Sequence, residues 1–388
     1  MDNKDYTDRL KYHFEPKKGW MNDPNGLCRF DGKYHAFFQY NPFARVWGRM
    51  HWGHAVSEDL VNWEELPIAL FPDKDYESSG GCYSGSAIEK DGVLYLFYTS
   101  VSEKLGQTQS VATSRDGIRF EKYGNNPVIA AAPKDGSREF RDPKVFEFGG
   151  KYMMVCGSGK DGVGKILLFE SEDLLNWSYK GVLFEDKSCG KVLECPDFFK
   201  LGEDYVLMFS VMKKQLYSTV FVVGSFDGEN FVEKYRVSPE AGPHFYAPQT
   251  FFDGSRRIMI GWMYSWTKAP DKNADYAGAL SAPRELKIVD GKLLSYPVKE
   301  LSPFLKAQCD GVRTDGKTLF AFGRKFGLKR EAEEVAILED TKTVEIFING
   351  GEQIFTLWKK KDTFADRLRY NKERLDELRR QKREDNKR

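Results

Sequence analysis

One seven-residue phrase occurs four times along this chain at nearly constant spacing. SEDLVNW begins at Ser57, SRDGIRF at Ser114, SEDLLNW at Ser171 and SFDGENF at Ser225, so the steps are 57, 57 and 54 residues. The intervals contain short, largely apolar segments in which apolar and polar residues alternate, separated by Gly and Asp turns. A repeat of this length is typical of a propeller blade, because one small four-stranded sheet cannot bury both of its faces alone.

A second phrase lies before each of these markers and has a fifth copy, which predicts five repeats. The copies are NDPNGLCRFDG, YSGSAIEKDG, RDPKVFEFGG, ECPDFFKLGE and YAPQTFFDG. We interpret them as the innermost strands of a five-bladed β-propeller, an all-β fold in which such strands border one central opening. Three of the starts carry an acid, namely Asp23, Asp142 and Glu194, so the fold is expected to bring these carboxyl groups together.

The repeat ends near residue 297, and two further segments follow. KTVEIFINGG and EQIFTLW predict a hairpin around a Gly-Gly turn, within a small separate β element at residues 298–360. Residues 361–388 have the composition of a charged helical or disordered tail. Its apolar stripe is thin, which favours a solvated or partly frayed helix over a coiled-coil partner helix. The stripe consists of Phe364, Leu368, Leu375 and Leu378.

Composition and charge narrow the possible partners. The net charge is +1, but residues 359–388 hold thirteen Lys and Arg against seven Asp and Glu, so the rest of the chain is weakly acidic. The absence of excess basic charge outside residues 359–388 argues against nucleic-acid binding. No apolar run is long enough to cross a membrane, and MDNKDYTDRL does not resemble a secretory signal, so we expect a cytoplasmic protein. The oligomeric state is left open.

The cysteines and histidines indicate neither disulfides nor a metal. The six cysteines lack compact spacing, which favours reduced thiols. His51 and His54 are the only histidines close in sequence, and on an extended strand they would point to opposite faces. We therefore expect no metal.

Carboxylates that converge on an aromatic-lined opening are suited to glycoside cleavage. One must be ionised to attack or stabilise the anomeric carbon, and one must be protonated to release the leaving oxygen. Arg141 is expected to keep Asp142 ionised. Polar and aromatic side chains nearby would bind a sugar: Asn22, Gln39, Trp47, Tyr83, Ser84, Arg141 and Trp266.

Several of these segments resemble glycoside hydrolase family 32, the group of invertases, sucrose-6-phosphate hydrolases and fructanases. They are WMNDPNG, FFQYNP, WGHAVSEDLVNWEELPIAL, GCYSGSA, FRDPKVF and ECPDFF, within residues 10 to 300. The resemblance implies a five-bladed propeller followed by a β-sandwich, and retaining hydrolysis of β-fructofuranosides without a cofactor. It implies that Asp23 is the nucleophile, Glu194 the acid and base, and Asp142 a stabiliser of the transition state.

The sequence departs from the family pattern in three places. Residues 298–360 are short for the family's sandwich, so we expect a reduced sandwich. His244 stands where the family often has an aspartate that supports the site. Arg45 and Arg49 flank Trp47, and their charge could favour a phosphorylated disaccharide.

Other functions remain open at this stage. Sucrose or sucrose 6-phosphate is the first expectation for the substrate, and a fructan exo-hydrolase acting on inulin or levan is the alternative. A fructosyltransferase would use the same three acids but exclude water from the covalent intermediate. A non-catalytic carbohydrate-binding propeller is the alternative from another class, and an arabinan-cleaving propeller lacks the WMNDPNG and ECPD phrases.

Overall fold

The computed structural model describes residues 9–213 and 216–385. Residues 1–8 and 386–388, the outer ends of the first predicted segment and of the charged tail, lie outside these ranges. Strands dominate the described residues, which makes the protein all-β in character, as the alternating apolar pattern predicts.

Within the described part of residues 9–297, five sheets each contain four antiparallel strands that pair side by side in chain order. The first sheet holds β1 (Gly19–Phe30), β2 (Lys33–Asn41), β3 (His51–Ser57) and β4 (Trp63–Leu70), and the second β5 (Gly81–Lys90), β6 (Val93–Ser102), β7 (Gly106–Ser114) and β8 (Glu121–Lys122). The third holds β9 (Phe140–Phe148), β10 (Lys151–Lys160), β11 (Val163–Ser171) and β12 (Ser178–Asp186), and the fourth β13 (Leu193–Leu201), β14 (Asp204–Lys213), β15 (Leu216–Phe226) and β16 (Phe231–Val237). The fifth holds β17 (Tyr246–Phe252), β18 (Arg257–Trp262), β20 (Arg284–Val289) and β21 (Lys292–Pro297).

The first strands of the five sheets contact one another in a closed ring. Strand β1 contacts β5, β5 contacts β9, β9 contacts β13, β13 contacts β17, and β17 contacts β1. A short strand, β19 (Tyr276–Ala277), belongs to the fifth repeat but pairs in parallel with β1 of the first sheet. The last repeat is therefore attached to the first, and the starts of the five inner strands lie around one axis.

The seven-residue marker forms a tight turn between the third and fourth strands of a sheet, and its aspartate accepts the same backbone N–H in all four copies. In the first copy, Ser57 Oγ accepts the backbone N–H of Leu60 at 2.8 Å, and Asp59 Oδ1 accepts that of Asn62 at 2.7 Å. The fourth marker residue has φ of +65° at Leu60 and +68° at Gly117, so both leucine and glycine occupy the left-handed region there. Leu60 tolerates this conformation because its side chain is fully buried in the core.

Two small sheets follow the ring and share one core. One has the order β22 (Leu305–Lys306), β26 (Val335–Glu339), β27 (Thr343–Ile348), β28 (Gln353–Trp358), and the other the order β23 (Val312–Asp315), β24 (Thr318–Ala321), β25 (Arg324–Gly327). Strands β27 and β28 form the hairpin that the Gly-Gly turn predicts, closed by a 3₁₀ turn at Asn349–Gly351. Further 3₁₀ turns lie at Asp75–Glu77 and Lys299–Phe304. Apolar side chains of both sheets, such as Leu319 and Ile346, pack together between them.

A buried charge network joins the C-terminal sheets to the ring. The imidazole of His13 lies 2.8 Å from Asp340 Oδ2 and 2.9 Å from Glu345 Oε1, and all three side chains are fully buried. Arg284 on β20, also buried, pairs with Glu345 at 2.5 Å and with Glu240 at 2.9 Å. Because every charge in the network has an opposite partner, the carboxylates and cations can remain ionised away from water.

The charged tail forms one helix, α1 (Phe364–Asp385), that packs against the ring. The apolar stripe that predicted a solvated helix does face outward, with Phe364 79% exposed and Leu375 54% exposed. The opposite face is buried, where Tyr370 is 4% exposed and Glu377 5% exposed. The sequence predicted a solvated or partly frayed helix and did not predict this packing against the ring. The buried face consists of polar and aromatic side chains, so it gives no apolar stripe.

Candidate active site

The pocket residues come from corresponding positions of the five inner strands. Each inner phrase starts with a four-residue unit: Asn22–Asn25, Tyr83–Ser86, Arg141–Lys144, Glu194–Asp197 and Tyr246–Gln249. In every sheet the strand register shifts at this unit, which marks a β-bulge. A bulge redirects side chains locally, and nine of the ten side chains at the first two positions of the units line one pocket.

This pocket has a volume of about 320 Å³ and opens at the end of the ring where the inner strands begin. It gathers all ten residues predicted as catalytic or sugar-binding: Asn22, Asp23, Gln39, Trp47, Tyr83, Ser84, Arg141, Asp142, Glu194 and Trp266. Four further residues line it that were not predicted, namely Gln107, Glu139, Cys195 and Tyr246.

Asp23 presents one bound and one free carboxylate oxygen. Its Oδ2 accepts a hydrogen bond from Ser84 Oγ at 2.7 Å, and Cys195 Sγ lies 3.5 Å from the same atom. Its Oδ1 is buried and has no hydrogen-bond partner among the described residues. Burial raises the pKa of Asp23, the hydrogen bond from Ser84 opposes this, and the charge of Glu194 adds to the rise. The geometry orients the carboxylate and leaves one oxygen able to contact an electrophile.

Asp142 is buried and held by backbone groups of neighbouring strands. Its Oδ2 accepts the backbone N–H of Cys195 at 2.8 Å, and its own N–H donates to Thr99 Oγ1 at 2.9 Å. Burial is the main cause that raises the pKa of Asp142 to about 7; the charge of Arg141 opposes the rise, and the negative charges of Glu194 and Asp23 add to it. The expectation that Arg141 keeps Asp142 ionised is therefore wrong below neutral pH.

The guanidinium of Arg141 hydrogen-bonds Glu194. Its Nη2 donates to Glu194 Oε1 at 2.9 Å, and its Nη1 donates to Gln107 Oε1 at 3.1 Å and to Glu139. The hydroxyl of Tyr246 donates to Glu194 Oε2 at 2.5 Å. Burial and the charge of Glu194 raise the pKa of Tyr246 well above its ordinary value, so the phenol stays a donor. Both oxygens of Glu194 are thus oriented by pocket residues.

The predicted aromatic residues lie at the rim. Trp266 stacks on buried Trp20, with ring centroids 5.9 Å apart and planes inclined by 28°. Trp47 meets Tyr83 edge-on at 6.1 Å, and 36% of its side chain is exposed. Flat aromatic surfaces of this kind suit the apolar face of a sugar ring. Trp20 also donates from Nε1 to Asn22 Oδ1 at 2.8 Å, which fixes Asn22.

Arg45, Arg49 and His244 are outside the pocket lining. Arg45 Nη2 pairs with Glu373 of α1 at 2.7 Å, and its Nη1 donates to the carbonyl oxygen of Asp271 at 2.8 Å. Arg49 is buried and donates from Nε to the carbonyl oxygen of Ser79 at 3.3 Å. His244 accepts the backbone N–H of Trp358 at 3.0 Å, and burial lowers its pKa to about 3. His244 therefore connects the ring to β28.

A second polar layer lies beneath the pocket, at the fourth position of each four-residue unit. Its members are all buried: Asn25, Ser86, Lys144, Asp197 and Gln249. Lys144 Nζ pairs with Asp197 Oδ2 at 3.2 Å, and Gln249 Nε2 donates to the carbonyl oxygen of Gly85 at 2.8 Å. These bonds connect different sheets, so they fix the inner strands that carry the acids above them.

Residues 9–213 and 216–385 contain neither a metal-binding cluster nor a membrane-spanning helix. No group of three or more His, Cys, Asp or Glu side chains is arranged to hold a metal ion there. No helix in these ranges is both long enough and apolar enough to cross a membrane. All six cysteines are free thiols.

The profile described as "Glycosyl hydrolases family 32 N-terminal domain" matches residues 13–297. A sucrose-6-phosphate hydrolase of Escherichia coli is 41% identical over 312 residues, and the match covers 74% of this chain but only 64% of that protein's length.

Two solved structures resemble the whole described architecture. One is a mutant of the β-fructofuranosidase BmSUC1 of Bombyx mori in complex with sucrose, with a TM-score of 0.81, 28% identity and coverage of 92% of this chain and 89% of that chain. The other is the sucrose-6-phosphate hydrolase of Lactobacillus gasseri, with a TM-score of 0.78, 25% identity and coverage of 91% and 88%. Since the profile match alone covers more than half of the residues, this chain belongs to glycoside hydrolase family 32.

Proposed function

We propose that this protein is a glycoside hydrolase that cleaves the β-fructofuranosidic bond of sucrose or sucrose 6-phosphate with retention of configuration. The observation that carries this proposal is that Asp23, Asp142 and Glu194 share one pocket, in which Oδ1 of Asp23 is buried and has no hydrogen-bond partner among the described residues. An oriented carboxylate beside a second carboxyl group is the arrangement that double displacement requires.

In the first step, Oδ1 of Asp23 attacks C2 of the fructosyl unit. The bond from C2 to the bridging oxygen breaks, and Glu194 donates its proton to the leaving sugar. In the second step Glu194 removes a proton from water, whose oxygen attacks C2 and releases Asp23. Arg141 and Tyr246 orient Glu194 for both transfers, since each donates to one of its oxygens. Asp142 binds fructosyl hydroxyls and stabilises the transition state.

The size and lining of the pocket support a short sugar as substrate. A volume of about 320 Å³ suits one fructosyl unit with its leaving group near the rim tryptophans. Sucrose 6-phosphate carries its phosphate on that leaving group. Arg45 and Arg49 are not placed to select this phosphate, because they lie outside the pocket lining and Arg45 would have to leave Glu373 to bind it.

The proposed fold is a five-bladed β-propeller over residues 1–297, a reduced β-sandwich over residues 298–360 and a charged tail over residues 361–388. The closed ring of inner-strand contacts supports the propeller, and the core shared by two small sheets supports the sandwich. We also propose a cytoplasmic location, which the six free thiols support. Cell fractionation tests this point.

Hydrolysis of sucrose by the wild-type protein and by the Asp23→Ala and Glu194→Gln variants tests the function. We expect turnover by the wild type and a loss of about 10³-fold or more in each variant, because each removes a group that acts in bond breaking. Proton NMR of the first product anomer should show the β-anomer, as retention requires. A folded wild-type protein that binds sucrose without turnover would make it a carbohydrate-binding propeller instead.

A further inference from the structure

Helix α1 lies against the two loops that carry the rim tryptophans. The first loop connects β2 with β3 and holds Trp47, and the second connects β18 with β19 and holds Trp266. Both tryptophans line the pocket. Pocket residues on loops depend on what packs behind them, because a loop has no ladder of backbone hydrogen bonds to fix it.

The contact with the Trp47 loop is close and polar. Asn41 Nδ2 donates to Glu377 Oε1 at 3.1 Å, and Asn41 is fully buried. The backbone of Gly48 approaches the helix so closely that a Cβ atom there would lie 2.8 Å from Glu377 Oε1 and 2.3 Å from Gln381 Nε2. Gly48 directly follows Trp47, so the helix fixes the backbone beside the rim side chain.

The contact with the Trp266 loop involves both backbone and rings. Arg369 Nη2 donates to the carbonyl oxygen of Pro270 at 2.6 Å, and the hydroxyl of Tyr370 lies 3.5 Å from the carbonyl oxygen of Trp266. The ring of Tyr370 is nearly parallel to that of Trp20, inclined by 12° at 6.5 Å. Trp20 in turn stacks on Trp266. Tyr370 therefore supports the aromatic stack that ends at the pocket.

Arg45 connects the two loops and the helix in one place. It lies two residues before Trp47, pairs with Glu373 at 2.7 Å, and donates to the carbonyl oxygens of Asp271 and Ala274 in the second loop. The side chains of α1 that make these contacts are spaced by three or four residues, so they lie on one face of the helix. They are Tyr370, Glu373, Glu377 and Gln381, and Arg369 lies beside Tyr370.

We propose that α1 positions Trp47 and Trp266 and thereby determines the affinity of the pocket for the leaving group of the substrate. This inference rests on the proposed function. The acids depend on other groups, since Ser84, Arg141, Tyr246 and the N–H of Cys195 hold them from the inner strands. Loss of the helix contacts therefore changes binding at the rim and leaves the bond-breaking geometry in place. Glu373 and Tyr370 are positioning residues in this reaction.

The test compares two substrates that share the fructosyl unit and differ in the leaving group, sucrose and methyl β-D-fructofuranoside. For Glu373→Gln and Tyr370→Ala we expect KM for sucrose to rise about fivefold or more, with kcat within about twofold. KM for the methyl glycoside, which places only a methyl group at the rim, should stay unchanged. Asp376→Asn is the matched control, because it removes one negative charge on the exposed face of the same helix.

Hydrogen exchange of residues 41–50 and 263–275 measures the positioning without any turnover. It should be faster in Tyr370→Ala than in the wild type or in Asp376→Asn. Unchanged exchange would overturn the inference, as would equal KM changes for both substrates. A wild-type protein without turnover would refute the proposed function alone, and the exchange result would still decide whether α1 positions the loops.

Discussion

The hydroxyl of Tyr246 donates a 2.5 Å hydrogen bond to Oε2 of Glu194, across the gap between the fourth and fifth sheets. Glu194 is bound on its other oxygen by Arg141 from the third sheet. Three sheets thus fix the carboxyl group that we propose as acid and base, and a group that must first donate a proton and then remove one benefits from one fixed orientation.

Replacing Tyr246 by Phe removes this bond while it keeps the ring. We expect kcat for sucrose to fall about tenfold or more, with little change in KM, because the bond orients Glu194 and does not create the binding surface. Steady-state kinetics measures the effect. Tyr235→Phe is the control, since the hydroxyl of Tyr235 is buried without a partner among the described residues. Equal kinetics in Tyr246→Phe and Tyr235→Phe would contradict the role of Tyr246.

The stability of the protein should decrease as the pH rises toward 7, because Asp142 is buried among like charges. Its pKa is raised to about 7 from an ordinary value of 3.8, so the folded protein holds this proton over a pH range in which the unfolded chain has lost it. The stabilisation is complete below pH 3.8 and is lost as the pH rises through 7.

The Asp142→Asn variant cannot lose that proton, which allows a direct test. We expect its Tm to exceed that of the wild type by about 2 °C or more at pH 8 and by less at pH 5, while activity falls sharply. Thermal unfolding at both pH values measures the difference. Asp91→Asn is the control: Asp91 lies at an exposed turn, so this variant should change Tm by the same amount at pH 5 and at pH 8. A Tm difference for Asp142→Asn that is the same at pH 5 and pH 8 would refute the raised pKa.

Much of the pocket could be predicted from the sequence because the fold repeats. The phrases that begin at Asn22, Arg141 and Glu194 identified the acids, and the ring of strands brings them together. Tyr246 was missed although it opens the fifth phrase, YAPQTFFDG, at the same position as Glu194 in ECPDFFKLGE. Placing the five phrases in register would have revealed it. The side chain at this position differs in every sheet except for the two tyrosines, so residue type alone gave no signal.

The role of α1 could not be predicted, for a physical reason. Its buried face is polar and aromatic, whereas hydrophobic periodicity detects only apolar faces. The contacts of Glu373 and Glu377 join residues more than 300 positions apart and follow no repeat. The sequence likewise indicated that Arg45 places a positive charge near the rim, but it did not indicate that Arg45 pairs with Glu373.

The buried imidazole of His13 should make stability depend on pH above neutrality. Burial alone would lower its pKa, but the hydrogen bonds to Asp340 and Glu345 raise it to about 9. The stabilisation from this group is fully present below pH 6.5, the value for an unfolded histidine, and is lost as the pH rises through 9. His13→Gln should lower the free energy of unfolding by about 3 to 5 kcal/mol at pH 6.5, since it leaves the buried Asp340 without its cation and Glu345 with Arg284 alone.

Urea unfolding at pH 6.5, 8 and 9.5 tests this prediction. The wild type should lose stability over this range, and His13→Gln should lose less. His35→Gln is the matched control, because burial lowers the pKa of His35 and that histidine affects stability only on the acid side. The same dependence on pH in the wild type and in His13→Gln would show that His13 is not charged in the folded protein.

The contacts of Arg45 and Arg49 predict how their removal affects two substrates. Arg45 is bound to Glu373 and to loop carbonyls, and Arg49 is buried against Ser79, so neither guanidinium faces the pocket. We expect the Arg45→Ala/Arg49→Ala variant to lose kcat/KM for sucrose and for sucrose 6-phosphate by the same factor, since the damage is to the rim that both leaving groups touch. Arg115→Ala/Arg119→Ala, at an exposed turn, controls for the loss of two positive charges. A loss at least about tenfold greater for the phosphorylated substrate would mean that an arginine leaves its partner to bind the phosphate, because a charge-assisted hydrogen bond has that effect on affinity.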